Sequence, residues 1–232
     1  MKALSKTLLV ILLIATFSVP VFTQEARWKE LNEHVVSLYQ QGRYSEAAQV
    51  AERALKVAEN TFGPDHQQVG TSLNNLAALY RAQGKYTEAE PFYKRALAIW
   101  EKVLGPDHQQ VGTSLNNLAL LYDSQGKYAE AEPLCKRALA IREKSLGPEH
   151  PDVAQSLNNL AALYQAQGNY AEAEPLYKRA LAIREKSLGP EHPDVATILR
   201  NMAEYYKKTG KKKEAERLEI RAKIIEIKNL LR

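Results

Sequence analysis

A single cysteine, Cys135, is the only thiol in the 232-residue chain. One thiol cannot close an internal disulfide, so the fold needs no oxidation even if the protein is exported. Prolines and glycines are few, ten and eleven, and most stand at regular intervals. Apolar residues make up 45% and charged residues 25% of the chain, ordinary values that argue against disorder. No Gly-rich phosphate loop, no Cys-x-x-Cys pair and no nucleophile-elbow pattern appears. Those absences point away from an enzyme and from any cofactor or metal. After the first 23 residues there is no apolar run of the roughly 18–20 residues that a spanning helix needs.

The N-terminus differs in kind from the rest. Lys2 and Lys6 precede an apolar run, Leu8 to Phe17, followed by Ser18-Val19-Pro20. A short positive segment, an apolar stretch of about 7–15 residues and small residues after it read as a secretory signal. Residues 1–23 are therefore expected to be a signal peptide, or an N-terminal anchor, and the remainder to be exported: periplasmic, extracellular or membrane-anchored facing outward. No cysteine follows the run, so lipid attachment there is not expected.

The dominant feature is a period of 42 residues. Phe62-Gly63-Pro64, Leu104-Gly105-Pro106, Leu146-Gly147-Pro148 and Leu188-Gly189-Pro190 mark it, and the stretches 65–106 and 107–148 differ at eight positions. Periods of about 20–50 residues mean an array in which stacked neighbours supply the core. Within one copy, Leu73, Leu76, Ala77 and Tyr80 lie at i, i+3, i+4 and i+7, one face of a helix. Gln83-Gly84-Lys85 interrupts, since glycine just past a helix end adopts a left-handed conformation cheaply. A second helix follows, with Ala89, Tyr93, Ala96, Leu97 and Trp100 as apolar members and Pro91 near its start, where a missing N–H does least harm. Small Ala77, Ala89 and Ala96 let antiparallel helices approach, and Tyr80, Tyr86 and Tyr93 fill the space between. Cys135 takes the slot of Tyr93 and Tyr177 and reads as a small packing residue. Glu90→Lys94, Glu132→Lys136 and Glu174→Lys178 are i,i+4 surface pairs worth only about 0.2–0.5 kcal/mol each.

These residues resemble the tetratricopeptide repeat. Leu73, Leu76, Ala77, Tyr80, Ala89, Tyr93 and Ala96 carry the pattern; Leu115 to Ala138 and Leu157 to Ala180 repeat it. The 42-residue length, the Leu-Asn-Asn-Leu-Ala run and the Gly-Pro-Glu-His junction resemble the kinesin-light-chain subtype. The resemblance implies an all-α solenoid, a right-handed superhelix of about five helix-turn-helix repeats whose first helices line the concave side. The expected units are a divergent first repeat at 26–64, repeats at 65–106, 107–148 and 149–190, and a divergent last repeat with a basic capping helix at 191–232.

Helical phase locates a candidate groove opposite the packing stripe. Thr71, Asn75 and Ala78 lie there, then Thr113, Asn117 and Leu120, then Gln155, Asn159 and Ala162, then Thr197, Asn201 and Glu204. Asparagine is a mediocre helix former, yet four share one phase, and each amide offers a donor and an acceptor. With helix layers about 8–10 Å apart and about 3.3 Å per extended residue, one amide serves roughly three residues of an extended peptide. The competing account is that duplication copied these asparagines, or that they bond between neighbouring helices. Asn74, Asn116 and Asn158 point nearer the packed flank and read as structural. Arg81, Asp123, Gln165 and Lys207 share one phase at the expected groove edge yet differ in charge, so they are candidates for specificity. Some relatives grip a C-terminal carboxylate with lysines one turn before such asparagines; Thr71, Thr113, Gln155 and Thr197 stand there instead, and only Lys29 fits.

His66, His108, His150 and His192 stand one repeat apart, too far for one metal ion with ligands near 2.0–2.1 Å, and read as junction residues. The recurring Glu88/Glu90, Glu130/Glu132 and Glu172/Glu174 pairs read as helix-start architecture favoured by the dipole. The formal charge of +5 is uneven: residues 207–232 hold ten basic and four acidic groups. There Ile220, Ile224 and Ile227 are spaced to dock on the last repeat; a membrane-surface contact is the alternative to a solubilising cap. The expected function is an exported adaptor or assembly scaffold that binds an extended peptide of a partner protein, with no role for nucleic acid. The alternative is a structural array that self-associates or joins an envelope complex through its outer face.

Overall fold

The structure, a computed structural model, describes residues 21–231. The expected signal segment lies outside the described residues, apart from its last three positions, which open the first helix. Ten helices and no strand occur among the described residues: α1 Val21–Gln40, α2 Tyr44–Phe62, α3 Gln67–Ala82, α4 Tyr86–Leu104, α5 Gln109–Ser124, α6 Tyr128–Leu146, α7 Pro151–Gln167, α8 Tyr170–Leu188, α9 Pro193–Lys208 and α10 Lys212–Leu230. None of them is long and apolar enough to cross a membrane. The chain divides after Ile99, inside α4, into two compact units.

In the first unit α2 packs on both α1 and α3. Its core joins Val35 and Leu38 of α1 to Ala47, Ala48 and Ala51 of α2 and to Leu76 and Leu79 of α3, with Tyr80 and Phe92 against it. The Tyr80 and Phe92 rings stack at 5.7 Å. In the second unit the hairpins α5–α6, α7–α8 and α9–α10 follow one another, and each later first helix also packs on the second helix before it. One core runs from Val153 and Leu157 through Tyr177, Ala180 and Ile183 to Met202 and Tyr205. The alanines expected to allow close approach are sealed: Ala77, Ala89, Ala96, Ala131, Ala138, Ala173 and Ala180 are all at most 1% exposed.

The junctions are built alike. His66, His108, His150 and His192 are N-caps, and each Nδ1 accepts a backbone N–H two residues on, at 3.4, 3.1, 3.1 and 3.2 Å. A ring nitrogen thereby satisfies one of the donors that a helix start leaves orphaned. Gly147 ends α6 at φ 87°, ψ 155°, a conformation essentially reserved for glycine.

A clamp, missed in the sequence, ties each second helix from α4 onward to the second helix before it. Arg95, Arg137, Arg179 and Arg221 pair with Glu59, Glu101, Glu143 and Glu185 at 2.5–2.7 Å. Each also donates to the carbonyl of the junction proline, Pro64, Pro106, Pro148 or Pro190. The signal was present as an arginine and a glutamate at the 42-residue period, 36 positions apart. Glu174 gathers a second set of bonds, from Lys178, Tyr205, Tyr206 and Lys211. The Lys178 bond foremost, helped by Tyr205 and Lys211, holds its carboxyl down at about 2.

The C-terminal helix docks differently from the expectation. Ala215, Ala222 and Ile225 are its buried residues, whereas Ile220, Ile224 and Ile227 are 62%, 48% and 47% exposed. The docked stripe continues the phase of the paired alanines of earlier second helices, which sets the rotation of α10 before its isoleucines can compete.

Gly147→Ala should destabilise the fold by about 1–3 kcal/mol. Gly112→Ala should instead be neutral or stabilise by up to about 1 kcal/mol. A methyl at Gly112 meets Ile141 and Arg142 at 3.4 and 3.5 Å, ordinary contact distances, and Ala154 and Ala196 are buried at the matching positions. Urea denaturation of the two variants checks both signs.

Candidate functional site

The first helices carry the candidate residues, and the two units hold separate parts of the set. In the first unit Thr71, Asn75 and Arg81 are half-buried on α3. Asn75 donates through Nδ2 to Asn32 Oδ1 on α1 at 3.2 Å. Thr71 turns its hydroxyl back to Gln67 O at 3.2 Å. Val35, Val36, Tyr39, Asn75, Ala78 and Leu79 line a cavity of about 210 Å³ between α1 and α3.

In the second unit Asn117, Asn159 and Asn201 are half-buried on α5, α7 and α9. Asn201 Nδ2 donates to Asn158 Oδ1 at 3.0 Å, and Asn159 Oδ1 accepts from Gln155 Nε2 at 2.9 Å. Bonds between neighbouring first helices are thus present for Asn75 and Asn201. In both, one amide hydrogen is used, and among the described residues no bond reaches the carbonyl oxygen. Asn116 and Asn158 are buried; Asn116 donates to Ser156 Oγ at 3.4 Å.

Thr113 and Gln155 are engaged from below. Arg142 and Arg184 stand where Trp100 stands in the earlier repeat, and both are buried. Arg142 donates to Ser156 Oγ at 2.9 Å, to Asp152 O at 3.1 Å and to Thr113 Oγ1 at 3.2 Å. Burial lowers its pKa from the ordinary arginine value. Arg184 reaches Asp194 at 3.0 Å and Gln155 at 3.5 Å. These arginines were not singled out from the sequence; the substitution of tryptophan by arginine at a helical packing phase was the visible sign.

The four residues expected at the groove edge do not share one environment. Gln165 is 9% exposed, because Tyr177 rises beneath it and donates its hydroxyl to Gln165 Oε1 at 2.9 Å. Arg81 acts on the buried Tyr93 phenol through a hydrogen bond and its charge. Lys207 is exposed and pairs with Glu219 at 2.5 Å. Asp123 is half-buried, and burial pushes its carboxyl above the ordinary value. Leu120, Asp123, Cys135, Ala162 and Leu163 help to line a cavity of about 200 Å³. Burial, with Asp123 and Glu132 nearby, pushes the Cys135 thiol up to about 12, so it stays protonated and unreactive.

A tetratricopeptide-repeat model matches residues 30–99, 68–144, 124–186 and 152–222. The chain belongs to the tetratricopeptide repeat family. Among solved structures, the nearly identical TPR-like repeats of a kinesin light chain protein from Podosopora anserina are 30% identical, with a TM-score of 0.70 over 88% of this chain and 96% of that one. BtubC (BKLC) from P. vanneervenii is 25% identical, with a TM-score of 0.71 over 89% of each chain. The repeats are therefore of the kinesin-light-chain-like kind, and the fold is the all-α solenoid of that family. The apo form of RapI, 18% identical, shares the fold alone, with a TM-score of 0.65 over 97% of this chain and 92% of that one. No curated protein matches the chain. Arrays of this family are protein-interaction scaffolds, in which stacked repeats offer extended binding surfaces.

The two asparagines of a pair should separate in a stability measurement. Asn158→Ala removes a buried acceptor and should cost about 1 kcal/mol or more. Asn159→Ala should stay within about 0.5 kcal/mol. Urea midpoints for the two variants decide between them.

Proposed function

We propose that this tetratricopeptide repeat protein is an exported, non-catalytic adaptor or assembly scaffold that holds an extended segment of another exported or envelope protein along its first helices. The observation that carries this reading is the set of half-buried asparagine amides at one helical phase. Asn75 and Asn201 use one amide hydrogen each and keep a carbonyl oxygen for a peptide N–H. A backbone-directed bond of this kind holds a strand whatever its side chains are. Export rests on the Lys2, Lys6 and Leu8–Phe17 pattern. The structural-array alternative uses the outer face, where the arginine clamps already join neighbouring second helices.

Peptides selected on the wild-type protein from a random display library provide the probe. Changing Asn75, Asn117 and Asn159 together to alanine, with helix content unchanged by circular dichroism, should weaken their binding about tenfold or more, each lost bond being worth about 0.5–1.5 kcal/mol. Unchanged affinity would remove the asparagines from the site. A photoreactive residue at Leu120, crosslinked in intact cells, should capture a heterologous chain; self-products alone would favour the structural array.

The exposed isoleucines of α10 support a second contact. Ile220, Ile224 and Ile227 face outward, and Leu230 and Leu231 are also exposed. Exposed Arg217 and Lys223 lie beside them. An apolar row flanked by cations suits the surface of an anionic membrane. Flotation with vesicles containing phosphatidylserine should show binding that salt weakens and that Ile220→Ser with Ile224→Ser removes.

A further inference from the structure

One position in the array is filled in two repeats and open in a third. Tyr93 and Tyr177, both 1% exposed, each project from a second helix into the space under the first helix of their own hairpin. Tyr93 lies against Arg81, and Tyr177 donates to Gln165 at 2.9 Å. The matching side chain between α5 and α6 is Cys135, which ends at its sulfur. The cavity of about 200 Å³ that remains has Cys135 at its base, Leu120, Ala162 and Leu163 as apolar walls, and Asp123 with Asn158, Asn159 and Asn201 as polar lining.

Asp123 is the exception among its counterparts. Arg81 and Gln165 have the tyrosine below them, and Lys207 has Glu219 at 2.5 Å. Among the described residues no ion pair or side-chain hydrogen bond reaches the Asp123 carboxylate, although it is half-buried. A carboxylate partly withdrawn from water without a partner is destabilising. The group that relieves it carries a positive charge on a long apolar stem, since Leu120, Ala162 and Leu163 offer hydrocarbon for the stem and the charge sits at one side. Arginine fits best: its stem packs on apolar surface, and its planar fork bonds a carboxylate through two N–H groups. The volume is below the about 300–1,000 Å³ of small-molecule sites, which matches one side chain better than a cofactor.

We propose that this cavity is a specificity subsite that takes one arginine side chain of the bound segment, with the guanidinium on Asp123 and the stem against Leu120, Ala162 and Leu163. It rests on the reading of the first-helix face as a peptide groove. Asn159, at its rim, would hold the backbone of the residue that inserts.

The test uses peptides selected from a random display library on the purified wild-type protein. They should share an arginine at one position. Replacing that arginine by citrulline, which keeps the shape and removes the charge, should weaken binding about tenfold or more. Asp123→Asn should bind the arginine and citrulline peptides equally, and Cys135→Tyr, which fills the cavity, should lose the same preference. The citrulline comparison on wild-type protein needs no variant, so a misfolded variant does not blunt the test. Peptides that share tyrosine or no basic residue, or an arginine preference that survives Asp123→Asn, would overturn the subsite. If such peptides still weaken when Asn75, Asn117 and Asn159 become alanine, the groove stands and only the subsite falls. If the library yields no binding peptide at all, both fall together.

Discussion

Close approach of helices at paired alanines is the constraint on which the rest of the structure depends. Ala47 and Ala54, Ala89 and Ala96, Ala131 and Ala138, Ala173 and Ala180 stand seven residues apart on successive second helices, and all eight are fully buried. Ala215 and Ala222 continue the series on α10. A methyl group is the largest side chain that lets three helices meet along one line, and protein interiors at crystal-like density forgive little more. Once that distance is set, the tyrosines and leucines of the first helices have one depth to fill. The orientation of α10 follows from the same pair, which is why its isoleucines face outward.

The junctions convert close packing into a repeating step. A histidine ring nitrogen caps each first helix from α3 onward, a glycine in a conformation closed to other residues ends each second helix before it, and an arginine grips the proline carbonyl between them. Each of these is a modest term, and surface ion pairs alone are worth little. Their effect is local geometry: the same three bonds recur at each junction. Histidines that look like a metal set by count are spent on backbone N–H groups.

Where the repeats agree they build the array, and where they differ they individualise it. Position 100 is tryptophan and its counterparts 142 and 184 are arginine, so one repeat has an apolar wedge where the next two have a buried cation bonded to serine, threonine or a carboxylate. Positions 93, 135 and 177 are tyrosine, cysteine and tyrosine, and where the ring is missing there is a cavity and, among the described residues, no side-chain partner for the Asp123 carboxylate. Three of the eight differences between otherwise duplicate stretches, at Leu120, Asp123 and Cys135, thus meet at one place. The asparagines, by contrast, recur wherever the repeat does.

Much of the architecture was legible in the sequence. The all-α class and the helix-turn-helix unit follow from a period of 42 and from apolar residues at i, i+3, i+4 and i+7, because a helix must bury that stripe wherever it lies. The local role of the histidines also follows, since one residue per repeat cannot converge on one ion. Tertiary structure decided what lies between residues far apart in the chain. Gln165 looked like a groove-edge residue by phase and is buried because a hydroxyl from the next helix needs its oxygen. Thr113 and Gln155 fall in the candidate groove by phase and are bonded by arginines 29 positions away. Asp123 shares the phase of its counterparts and, among the described residues, alone of the four has no side-chain partner, because a helical pattern records which way a side chain points and not what has been left out beneath it.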